Sequence, residues 1–113
     1  MPDLIDNETV EMLVEMGLLR ELLHDFDTSI DHQLSAIQAA FLASDLAEAR
    51  VVAHALKGVS LQMGAKSFGA ACRLLEKDAM ALSTDQGLAR LASLRGLWID
   101  TRAKYLQALA EAR

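Results

Sequence analysis

The chain has 113 residues, a formal net charge of -5, 52% apolar positions and 24% charged ones. Leu and Ala fill 20 and 19 positions, Val, Ile and Thr together only 13, and aromatics 4%, a balance that favours helix over strand. No run approaches the roughly 20 apolar residues of a membrane span, early acids such as Asp6, Glu8 and Glu11 exclude a secretory leader, and the lone Cys72 leaves neither a disulfide framework nor a cysteine metal cage.

The length supports one domain spanning 1–113 around one core. A reduced, cytoplasmic setting is expected. An acidic chain is a poor nucleic-acid binder, and no membrane partner is expected. The N-terminal Met and the intact helix boundaries favour a free-standing protein over an excised domain.

A short first helix is predicted over about 7–16. Asp6 or Asn7 caps it, acids fill its first turn, and Gly17 suits the position past its end. A long second helix runs over about 18–43. Its apolar stripe of Leu19, Leu23, Phe26, Ile30, Leu34, Ile37 and Phe41 is spaced by three or four. Ser44 caps the third helix, over about 45–63, whose stripe reads Ala49, Val52, Leu56, Val59 and Met63. Gly64 ends it. A fourth helix over about 65–82 carries Phe68, Cys72, Leu75, Ala79 and Leu82. A fifth, from the Ser83-Thr84-Asp85 turn to about 112, carries Leu91, Leu94, Trp98, Thr101, Tyr105 and Leu109. The expected fold is all-α: an antiparallel four-helix bundle with the short N-terminal helix packed across one end. A monomer is expected, because one bundle uses up these stripes.

The bundle does not specify a function, so the site is argued from residues. His54 stands apart from His24 and His32. At 100° per residue, Val52, Leu56, Val59 and Met63 lie about 140–200° away from it, so its ring faces away from the core. Ala47, Arg50, Val51, Lys57, Gly58 and Leu61 share its face. That face is partly apolar, has a cation one turn from the imidazole, and has a glycine in mid-helix. Gly there costs about 0.5–1 kcal/mol relative to Ala, and it clears space beside the ring for a large partner. Charge is also segregated: residues 1–49 carry -10, residues 50–77 carry +4, and residues 78–113 carry +1. Arg50, Lys57, Lys66, Arg73 and Lys77 form a basic island that would steer an acidic partner or a phosphoryl group.

The run Ala53-His54-Ala55-Leu56-Lys57-Gly58-Val59-Ser60, followed by Met63-Gly64-Ala65 and then by Cys72-Arg73-Leu74-Leu75-Glu76, resembles the signature of histidine-containing phosphotransfer (HPt) domains. Val59 and Phe68-Gly69 depart mildly from the usual pattern. The resemblance implies that His54 accepts a phosphoryl group from an aspartyl-phosphate on one receiver domain and passes it to an aspartate on another. The implied partners are hybrid histidine kinases and response regulators. The implied chain is a carrier with no kinase activity and no cofactor, Mg²⁺ belonging to the receiver, and it has no G-x-x-x-x-G-K-[ST] phosphate loop. A neutral imidazole is a nucleophile, and its unperturbed pKa near 6.5 leaves much of it neutral at pH 7. Nε2 is the expected attacking atom, with an acceptor fixing the proton on Nδ1. Glu76 is the first candidate for that acceptor. Gln62, 80° around the helix from His54, is the second. Lys57 would neutralise phosphoryl oxygens, and Gly58 would admit the partner's loop.

Two other classes compete with this reading. The set His24, Asp25, Asp27, Asp31 and His32 offers a bundle metal site, although no Glu-x-x-His pair accompanies it. Alternatively, the chain is an interaction module whose His54 is never phosphorylated.

Overall fold

The computed structural model describes residues 3–112. Helix α1 spans Asn7–Glu15, α2 Leu19–Leu42, α3 Leu46–Gln62, α4 Lys66–Asp78 and α5 Thr84–Glu111. Helices α2 to α5 pack in cyclic order, with α5 closing back on α2, so α3 and α5 stand diagonally across the bundle. The predicted stripes of α2 and α5 supply about half of the core, and α1, α3 and α4 supply most of the rest. Among its rings, Phe26 and Trp98 meet edge-on at 4.9 Å, and Trp98 donates its indole N–H to Asp27 at 2.8 Å. Gly87 makes a close approach possible. A Cβ there would stand 2.5 Å from the buried Phe41 ring, which has nowhere to retreat.

The helix ends explain the short turns. After α1, α2 and α3 the chain closes the same C-terminal motif, in which two successive amides bond back to the last turn: Gly17 to Val14 and Leu18 to Leu13, Ser44 to Phe41 and Asp45 to Ala40, Gly64 to Leu61 and Ala65 to Ser60. The motif requires a left-handed residue, and Gly17, Ser44 and Gly64 take φ of 70°, 55° and 74°. Ser44 therefore does not cap α3. Asp45 does, its carboxylate accepting the Glu48 amide at 3.1 Å, because Ser44 is committed to ending α2. A side chain at positive φ costs about 1–2 kcal/mol. Glycine's extra unfolded-state freedom offsets about half of that. Ser44→Gly should therefore stabilise the chain by about 0.5–1 kcal/mol, read as a rise in thermal midpoint. A fall would show that the Ser44 side chain contributes more than its strain costs.

The fourth helix also ends earlier than its apolar pattern suggests. It tightens to a 3₁₀ turn at Ala79–Ala81, and Leu82 is extended. That extension aims Ser83 into a reciprocal cap with Gln86 that starts α5. In α3 the buried face is rotated from the predicted stripe. Ala49, Ala53, Leu56 and Ser60 are fully buried, whereas Val52 and Val59 are only half-buried. Small residues occupy the line where α3 meets its neighbours, which lets the backbones approach.

Helix α1 lies at the end of the bundle formed by the α3–α4 turn and the C-terminal part of α5. The Asp6 amide donates to the Gly64 carbonyl at 2.7 Å, and a Cβ on Gly64 would meet Thr9 at 3.0 Å.

Candidate functional site

The site lies where the middle of α3 faces the C-terminal end of α4. Ala53 and Leu56 anchor α3 in the core, which turns His54 outward. The His54 side chain is 66% exposed, while Glu76 and Lys57 are 23% exposed. Glu76, on α4, joins the other two. One carboxylate oxygen lies 2.7 Å from His54 Nδ1 and the other 2.8 Å from Lys57 Nζ. The Lys57 ammonium and then the His54 ring, through these hydrogen bonds, hold the Glu76 carboxyl below the usual carboxylate range. An ionised carboxylate only accepts hydrogen bonds, so at 2.7 Å Nδ1 must be the donor. Lys57 Nζ also stands 3.4 Å from Nδ1. With a proton already there, that contact is proximity, and the lysine's bond goes to Glu76.

This arrangement leaves Nε2 with a free lone pair on the exposed side of the ring. The ring opens onto a groove that Arg50, Val51, Lys57, Arg73, Glu76, Lys77 and Met80 also line. Cation pairing differs across the molecule. Arg90, Arg95 and Arg102 pair with Asp78, Asp31 and Asp27. Among the described residues, Arg50, Arg73 and Lys77 form no such pair, so the groove keeps its positive charge.

Of the residues singled out in the sequence, the structure brings His54, Lys57, Glu76, Arg50, Val51 and Arg73 together. Ala47, Gly58 and Leu61 flank the groove on the exposed face of α3. A Cβ at Gly58 would meet nothing within 4 Å, so no internal contact explains that glycine. Gln62 does not serve the ring. It lies eight residues past His54, about 12 Å further along the helix, and Nδ1 pairs with Glu76 instead. Lys66 is exposed at the start of α4, ten residues and about 15 Å along that helix from Glu76. Lys77 as an element of the groove and Met80 escaped the sequence reading, although Arg73, Glu76, Lys77 and Met80 recur at the spacing of one helix face.

The rival metal set is committed elsewhere. Asp27 holds Trp98 and Arg102, Asp31 faces Arg95, and among the described residues no three His, Cys, Asp or Glu side chains converge on one point. Cys72 is buried, and that burial pushes its thiol up to about 12, so it is no nucleophile at neutral pH. No helix among the described residues is long and apolar enough to cross a membrane.

The chain is similar in sequence and fold to known proteins. Residues 21–112 match the Hpt domain. A stretch of 91 residues is 38% identical to the sensor histidine kinase AruS of Pseudomonas aeruginosa, covering 78% of this chain and 9% of that protein. The chain thus spans less than a tenth of that relative's length. The crystal structure of a rice protein described as a histidine-containing phosphotransfer protein superposes with a TM-score of 0.80 at 25% identity, over 97% of this chain and 86% of the other. Fold and sequence profile agree: the chain belongs to the Hpt domain family, whose members carry phosphoryl groups in phosphorelays.

Proposed function

We propose that His54 is the phosphoryl acceptor of this chain and that receiver domains of hybrid kinases and response regulators are its donors and recipients. One observation carries the reading: Nδ1 is bonded to Glu76 at 2.7 Å in a ring that is 66% exposed, which presents Nε2 as a nucleophile to the outside. In the forward step Nε2 forms a bond to phosphorus while the bond from phosphorus to the receiver's aspartyl oxygen breaks, and that carboxylate leaves. The ring keeps its Nδ1 proton. The positive charge that develops on it is stabilised by Glu76, and Lys57 stands one turn away to meet the phosphoryl oxygens. The reverse of the same step loads a second receiver. Mg²⁺ and the acidic pocket that holds it are the receiver's contribution, and this chain supplies the cations.

Incubation with a receiver carrying a labelled aspartyl-phosphate tests the reading. Label should move to the wild-type chain. Failure to acquire label from every receiver of the source organism would leave an interaction module.

Two variants separate the roles around the ring. Lys57→Ala should fold normally and transfer roughly 10²-fold more slowly, by the scale of losing one stabilising donor in a transition state. An unchanged rate would remove Lys57 from the reaction. Glu76→Ala should release the tautomer, so that the ring ¹⁵N shifts move away from the Nδ1-protonated pattern of the wild type. Identical shifts would exclude the contact. The pH dependence has a definite sign. The Glu76 pKa is lowered by folding, so its contribution to stability is complete above the unfolded value near 4.5 and is lost as pH falls through the lowered one. The stability gap between wild type and Glu76→Gln should therefore be constant at neutral pH and close in acid.

A further inference from the structure

Helix α5 is apolar on two opposite sides. The first faces the core. The second runs the length of its solvent face at alternating spacings of three and four: Ala89, Gly96, Ala103 and Ala110 in one set, with Ala92, Ile99 and Leu106 between them. All seven are exposed, Ile99 the most of any large apolar side chain among the described residues at 68% and Leu106 at 44%. A solvent face normally carries polar residues. The corresponding face of α2 does, with Glu21, His24, Asp25, Thr28, His32 and Ser35. The contrast lies within one molecule and concerns its two longest helices.

The 3.5-residue period is that of a seam between two helices, kept here through three heptads or about 32 Å. Small residues fill five of the seven positions, which suits a close approach of backbones. Gly96 sits at the centre, and a Cβ there would meet nothing within 4 Å. As at Gly58, nothing inside the molecule accounts for it.

We propose that this face of α5 docks on the same face of a second copy, as a parallel, in-register helix pair. The flanking charges select this occupant. Arg95 precedes one seam position and Asp100 follows another, five residues on. In a parallel pair each Arg95 reaches the Asp100 of the partner copy across the seam, and the two-fold axis makes that contact twice. An antiparallel pair would instead bring together the sides that carry Arg95 and Arg102. Arg95 is held only loosely at home, 3.7 Å from the exposed Asp31. A lone helix seam with two large side chains is a small interface, so the pair is concentration-dependent. Because α5 stands diagonally from α3, both His54 grooves stay open in the pair. The expectation of a monomer assumed that the core uses every apolar stripe, and α5 carries one more. The proposal does not depend on what His54 does.

Sedimentation from about 10 μM to about 1 mM tests it. Wild type should pass from monomer to dimer. Ile99→Glu should keep its helical spectrum, because the side chain is exposed, and raise the dissociation constant at least tenfold. Gly96→Cys should cross-link to itself under mild oxidation, since in a parallel register position 96 meets position 96. A wild type that stays monomeric throughout, a dimer indifferent to Ile99→Glu, or a dimer in which Gly96→Cys fails to cross-link would each overturn the proposal. The first of these would assign the face to a helix of another protein.

Discussion

His54→Gln should take up no label from a phosphorylated receiver, a loss of at least 10⁴-fold by the order of magnitude seen when a nucleophile is removed. The amide of Gln keeps a polar group near Glu76 but has no lone pair basic enough to form a bond to phosphorus. Folding should be unaffected. The side chain is 66% exposed, and the packing of α3 rests on Ala53, Leu56 and Ser60. Exposed substitutions of this kind shift stability by no more than about 0.5 kcal/mol. His24 and His32 are also exposed, on α2, and they serve as internal controls. Label persisting in His54→Gln would place the acceptor on one of them or elsewhere.

Gly58→Leu should produce opposite effects on stability and transfer. A Cβ at this exposed position meets nothing within 4 Å, and the substitution replaces a poor helix former by a good one, worth about 0.8 kcal/mol in a helix interior. The thermal midpoint should therefore rise. The new side chain stands one turn from His54 on its exposed face, where a receiver must bring its aspartate to within bonding distance of Nε2. A displacement of about 1 Å in such a reaction costs about 10²-fold, so transfer should fall by at least that much. The combination is what separates a clearance role from a structural one. Loss of both stability and transfer would mean that Gly58 supports the helix, and full transfer would mean that no partner approaches there.

Much of this was legible in the sequence because long helices with large apolar residues announce their buried sides. The stripes of α2 and α5 are large and regularly spaced, and the structure buries them except for the half-buried Leu109. The outward turn of His54 followed from the same periodicity. Small residues carried less signal. Ala53 and Ser60 join the expected Ala49 on the core side of α3, where hydropathy pointed instead to Val52 and Val59. The outer stripe of α5 was overlooked for the same reason, since Ala and Gly dominate it. Gln62 was misplaced because rotation around a helix was weighed without rise along it. Ser44 was read as a cap, when Asp45 beside it was free to do that work and Ser44 was needed at positive φ. Glu76 was legible for a different reason: its place opposite His54 depends on how α4 packs against α3, and the motif resemblance supplied that register where periodicity gave none. Met80 joins the groove through the same packing, and no motif named it.

The central claim is that Glu76 holds the Nδ1 proton of His54 so that Nε2 takes the phosphoryl group. Nitrogen and phosphorus NMR of the phosphorylated chain tests it most directly. The phosphoryl group should be bonded to Nε2 of His54, with a proton retained on Nδ1. A phosphoryl group on Nδ1, or on any other residue, would contradict it.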